Sequence, residues 1–235
     1  MQRGASKYYF KAGEKAAIIA YEHKRDYAKA FDLEVKLEKA APSEDKRFDA
    51  QLGAMKAAYK LNRQDDVLIY ANKVAQNPLA ARDQVSIANF YIGKIAFDRN
   101  ELPRAQDAFQ KTIRNGGNDE TTAEAKYLDA LVEYKKRNLD VALDKAELAS
   151  QNSPSVFWAA KATILQADIY AEKNDLVYAR AALEAVINNV KDIPEVINEA
   201  KQKLQNLEAR EKKKSRLNSD RPQSNLIEMD KNDGN

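Results

Sequence analysis

The strongest constraint on this chain is repetition. Four landmarks recur along it at nearly one spacing. Breakers fall at Pro42, Pro78, Gly116-Gly117, Pro154 and Pro194. An aromatic residue late in a helical run recurs at Tyr21, Tyr59, Phe97, Tyr134 and Tyr170, in steps of 38, 38, 37 and 36. A turn asparagine follows at Asn62, Asn100, Asn138 and Asn174, in steps of 38, 38 and 36, with Lys24-Arg25-Asp26 at that place in the first unit. A small or β-branched residue then opens the next apolar face at Ala30, Val67, Ala105, Ala142 and Ala179, in steps of 37, 38, 37 and 37. One period held by four independent marks belongs to stacked units that touch only their neighbours.

Each unit reads as two helices. In the third, Ile87, Phe90, Tyr91, Ile95, Ala96 and Phe97 lie at helical spacing. Asn100 stands where an N-cap is wanted, with Pro103 just inside the second helix. Leu102, Ala105, Phe109 and Ile113 form the second stripe, and Gly116-Gly117 closes it, where φ > 0 is expected. So short a turn makes the two helices antiparallel neighbours. Helices approach to about 8 Å only across small residues. Gly93, Ala130 and Ala167 supply them on first helices, and Ala105, Ala142 and Ala179 on second helices.

Composition removes several function classes. Of 235 residues, 44% are apolar, enough for a core and too many for wholesale disorder. Seven Gly and six Pro are too few for a long strand-and-turn architecture. With no Cys there is no disulfide, thiolate metal site or Cys nucleophile, and His23 alone makes neither a multi-His metal site nor a readily assembled triad. No catalytic residue, cofactor site or metal site is assigned. No apolar run is long enough to span a bilayer, and Met1-Gln2-Arg3-Gly4 opens no signal peptide. The net charge is +3; residues 211–221 carry +3 and residues 222–235 carry −2, which leaves a nearly balanced body. Nucleic acid is not an expected partner, because phosphate binding needs clustered Lys and Arg.

These residues resemble the tetratricopeptide repeat family. The resemblance is carried by Tyr21, Arg25-Asp26-Tyr27 and Ala30 followed by Pro42, by Gly93 with Ala105 and Phe109, and by Ala167, Tyr170 and Ala179. It departs from the family in its longer period, in lacking the early Trp, and in placing Trp158 elsewhere. The last unit (residues 155–187) also resembles the closing repeat of long bacterial cell-envelope members, which implies a periplasmic or envelope location if the chain is part of an exported protein, and otherwise a cytoplasmic one. The resemblance implies an all-α, right-handed solenoid of about five hairpins (6–42, 43–78, 79–117, 118–154 and 155–193). A capping helix at 194–214 and a disordered tail at 215–235 complete the expected organisation.

The resemblance also implies a concave groove lined by first helices. The inward positions are Lys15, His23, Asp49, Lys56, Lys60, Phe90, Lys94, Tyr127, Tyr134, Lys135, Asp168 and Glu172. Of these, Lys56, Lys60, Phe90, Lys94, Tyr127, Tyr134 and Lys135 are the candidate protein-binding residues, a basic and aromatic middle. The competing reading is that the lysines solvate helix faces and that Phe90 and Tyr127 are core. The carboxylate clamp of chaperone-binding members is not expected: its places hold Lys15, Ile19, Gly53, Ile87 and Tyr91, and only the first suits it. Trp158 with Phe157 is expected to pack between repeats. Asp65-Asp66 and Asp119-Glu120 sit at turns as N-caps, and Lys212-Lys213-Lys214 as a solvated helix end. The function expected is a non-enzymatic scaffold, monomeric or weakly self-associating, holding a protein or peptide partner in its groove. The alternative is a spacer or self-association unit within a larger envelope assembly.

Overall fold

The computed structural model describes residues 7–151 and 153–219. Eleven α-helices lie among these residues, with no strand. The helices are α1 (Lys7–Ile18, continued by a π-helical turn, Ile19–His23), α2 (Tyr27–Ala40), α3 (Glu44–Lys60), α4 (Gln64–Gln76), α5 (Arg82–Asp98) and α6 (Leu102–Asn115). They are followed by α7 (Glu120–Lys135), α8 (Leu139–Ser150), α9 (Val156–Glu172), α10 (Leu176–Asn189) and α11 (Pro194–Ser219). Each odd helix through α9 packs against the even helix that follows it, and each even helix packs against the next odd one. Successive odd helices also touch, α5 with α7, α7 with α9 and α9 with α11. The odd helices therefore line the inner side of the stack. Helix α11 runs beyond residue 214 to Ser219, so it takes in the first residues of the expected tail; residues 220–235 lie outside the described residues.

The core is a relay of overlapping apolar clusters. One extends from Ala20 on the π turn to Val132 on α7. A second joins α7, α8 and α9, and a third joins α9, α10 and α11 through Ile164, Leu183, Val186 and Val196. The small crossing residues sit where close approach requires them. Ala105, Ala130 and Ala142 are fully enclosed, and Gly93, Ala167 and Ala179 are buried.

The hairpin turns repeat more strictly in backbone than in residue type. Arg25, Asn62, Asn100, Arg137 and Asn174 all adopt positive φ, between 52° and 66°. After the last four of these residues the next amide reaches five residues back into the first helix, Arg63 to Ala58 O, Glu101 to Ala96 O, Asn138 to Glu133 O and Asp175 to Tyr170 O, whereas after the π turn Asp26 reaches six back to Ala20 O. The first four are the bonds of a Schellman closure, in which the left-handed residue lets the chain satisfy the last carbonyls. Asn100 is thus a left-handed turn residue and not the N-cap expected of it; Glu101 holds that place. In the fourth unit Arg137 takes the left-handed position, and Asn138 caps α8 without a side-chain bond. Asp119 does cap α7, accepting from the Thr122 amide, whereas Asp65 and Asp66 lie inside the first turn of α4.

Gly116 differs from expectation too. Its φ is −77°, in extended backbone that any residue adopts. Small size is what the position requires, since a Cβ there collides with Thr122 Oγ1 and approaches Ser86 Oγ and Thr112 O to 3.0 Å. Gly93 is constrained similarly: a Cβ would stand 2.6 Å from Cε1 of Phe109, a ring with no solvent exposure. Gly93→Ala is expected to destabilise the chain by about 1–3 kcal/mol, and Gly93→Leu by more. A thermal melt checks this as a fall in Tm of roughly 2–4 °C for each kcal/mol.

Candidate functional site

Three adjoining cavities open between the first helices in the N-terminal half. The central one, about 190 Å³, is walled by Ala17, Ile18, Tyr21, Ala30 and Leu52, with Glu34 and Lys56 on its lining. A second, about 280 Å³, lies beside Phe10, Glu14, Lys46 and Ala50. It shares Ile18, Glu34 and Asp49 with the central cavity. A third, about 280 Å³, continues toward Asp83, Ile87, Asp119 and Thr121, and shares Leu52 and Lys56 with the central one. Together they form one cleft running from α1 across α3 and α5 to the start of α7.

Glu34 reaches this cleft from α2, an outer helix. It can do so because Gly53 on α3 leaves its path clear; a Cβ on Gly53 would sit 2.5 Å from the Glu34 carboxyl carbon. Lys46, which lines the second cavity with Glu34, pairs instead with Glu14 at 2.8 Å and with Asp49 at 3.3 Å. Burial, and then the neighbouring charges of Glu14 and Asp49, push the Glu34 carboxyl up to about 7.

Along the C-terminal half, cross-repeat pairs tie consecutive first helices together, and a separate cavity of about 200 Å³ lies there beside Asp168, Ala179, Leu183 and Lys203. Lys94 donates to Glu124 at 2.6 Å, and the Tyr134 hydroxyl donates to Glu172 at 2.6 Å. Arg137 also meets Glu172 at 2.6 Å, Lys161 meets Glu199 at 2.7 Å, and Lys203 meets Asp168 at 2.8 Å. Each pair bridges consecutive first helices or their ends. The Tyr127 ring lies 5.4 Å from Trp158, which also meets Phe157 in a T-shaped contact at 4.8 Å, so Trp158 packs between repeats. Burial pushes the Tyr127 hydroxyl up to about 12.

The seven sequence-derived candidates therefore separate. Lys56 lies on the open cleft, exposed and without an ion pair among the described residues. Lys60 is exposed one turn further along α3. Phe90 is core, 5% exposed and packed near Tyr91 and Phe109. Lys94 and Tyr134 are held in the pairs above, Tyr127 is wedged against Trp158, and Lys135 lies over the Phe97 ring at 4.7 Å. Sequence reasoning missed Glu34, because family-derived inward positions fall on first helices. Gly53 opposite was the available signal.

No known family profile matches the chain, and no curated protein matches it. Solved structures do. Crystal structures of MamA align over 79% of this chain and 98% of that one, with 19% identity and a TM-score of 0.61, and over 87% and 96%, with 19% identity and a TM-score of 0.55. Yeast Tom70 aligns over 90% of this chain and 45% of its own, with 15% identity and a TM-score of 0.60. The fold is tetratricopeptide-like. At these identities the likeness is one of architecture, an all-α solenoid of paired helices.

Glu34 also gives a stability test. Its folded pKa, raised to about 7, lies above the ordinary carboxylate value of 4.5, so the folded state binds the extra proton between the two. Its ionisation then opposes folding progressively as pH rises from about 4.5 to about 7, and fully above that. Glu34→Gln is expected to melt several degrees above wild type near about pH 8, with the gap closing toward about pH 4. Paired melts across that range check it.

Proposed function

We propose that this chain is a protein-interaction scaffold that holds an extended segment of a protein partner in the cleft across α1, α3, α5 and the start of α7. The observation that carries the reading is the continuity of three cavities through shared walls at Ile18, Glu34, Asp49, Leu52 and Lys56. An extended chain places side chains in successive pockets, and apolar anchors such as Ile18, Leu52 and Ile87 provide the buried contact that such complexes need. The remainder of the inner face serves to fix the pitch of the array, because its cations and carboxylates already satisfy one another. Phe90 serves the core of α5, and Lys60 is exposed one turn beyond Lys56 on α3.

The test is affinity capture with wild type and a Leu52→Ala, Lys56→Ala, Ile87→Ala variant. The variant is expected to lose most of the specific partners, a drop of at least tenfold in recovery for loss of about 1.4 kcal/mol. Equal recovery by both would move the site off the cleft. Self-association is the second reading, favoured by Tyr8, 83% exposed, and by exposed Ile18 and Ile19 near the first end of the stack. Light scattering across a concentration series separates the two, since a mass constant with concentration removes self-association.

A further inference from the structure

The central cavity of the cleft has a mixed chemistry that selects its occupant. Its walls are the apolar side chains of Ala17, Ile18, Tyr21 and Leu52, and it has room for one long side chain. Glu34 projects into it past Gly53, and among the described residues no hydrogen bond or ion pair holds that carboxylate. The charged groups that face it are Glu14 from α1, Glu22 from the π turn, and Lys46, Asp49 and Lys56 from α3. Lys46 is engaged by Glu14 and Asp49, and Lys56 is exposed on the rim side shared with the third cavity. Four carboxylates thus stand against one engaged and one exposed cation.

We infer that this cavity is a recognition pocket for a single lysine or arginine side chain of the bound segment, its stem lying along Ile18, Tyr21 and Leu52 and its cationic head meeting Glu34. The inference rests on the cleft reading above. An apolar side chain would bury Glu34 further without compensating it, whereas an amphipathic cation matches both wall and base. A metal ion is a poorer fit, since no group of three or more potential ligand side chains is placed to hold one among the described residues. The neighbouring carboxylates Glu14, Glu22 and Asp49 add a favourable field, so the partner segment is basic at this point whatever its sequence on either side.

The test uses phage-displayed random dodecapeptides panned on the whole chain near about pH 8. Wild type is expected to select peptides with one recurrent Lys or Arg, and Glu34→Gln, which keeps the side-chain shape, is expected to lose that preference. For a synthesised winner, replacing the cation by norleucine is expected to weaken binding to wild type about tenfold or more and binding to Glu34→Gln hardly at all, read by fluorescence anisotropy. Binding to wild type should also fall about tenfold from about pH 8 to about pH 6, as Glu34 takes up its proton. Selected peptides without a common cation, or a cation preference that survives Glu34→Gln, would overturn the pocket while leaving the cleft. Winners that bind the Leu52→Ala, Lys56→Ala, Ile87→Ala variant as well as wild type would remove the cleft and the pocket together.

Discussion

Two helices can lie close enough to share a buried seam only where their facing residues lack bulk. Three of the hairpins meet that condition at equivalent places. Gly93, Ala130 and Ala167 meet it on α5, α7 and α9, and Ala105, Ala142 and Ala179 meet it on the partners α6, α8 and α10. The left-handed residue at each turn then reverses the chain tightly enough to bring those surfaces together. With crossing and reversal repeated, each hairpin packs on the last, and the odd helices from α5 to α11 touch in succession along the inner side.

That surface is divided by electrostatics. From α7 onward, Lys161, Lys203, Tyr134 and Arg137 each find an acidic partner one repeat away, so these charges are matched across the repeats. Individually such solvent-accessible, partly buried pairs contribute little, on the order of 1 kcal/mol each. Their larger effect is to fix the spacing of consecutive first helices and to leave few polar groups free for a ligand. Toward α1 the pattern breaks. Glu34 comes in from the outer layer and Lys56 is not paired among the described residues, so the inner face stays open and hollow.

The hairpins and their pairing were legible because burial follows a 3.6-residue period and breakers punctuate it. Trp158 was read correctly as an inter-repeat contact for the same reason: a large ring opening a hairpin has a neighbour to cover. The turn chemistry was legible only in part. Asparagine serves both caps and left-handed positions, and sequence alone does not distinguish Asn100 in one role from Asn100 in the other. Gly116 shows the same ambiguity between backbone freedom and small size. The proposed binding face was the least legible. Whether a lysine is available depends on which carboxylate stands opposite one repeat later, as Glu124 does for Lys94, and no local pattern encodes that.

The core passes from one hairpin to the next and has no centre. Mechanically the molecule is therefore closer to a coil spring than to a ball. Small rotations at each junction add along the row, so the pitch of the whole array is set by the sum of many neighbour contacts and by no single one.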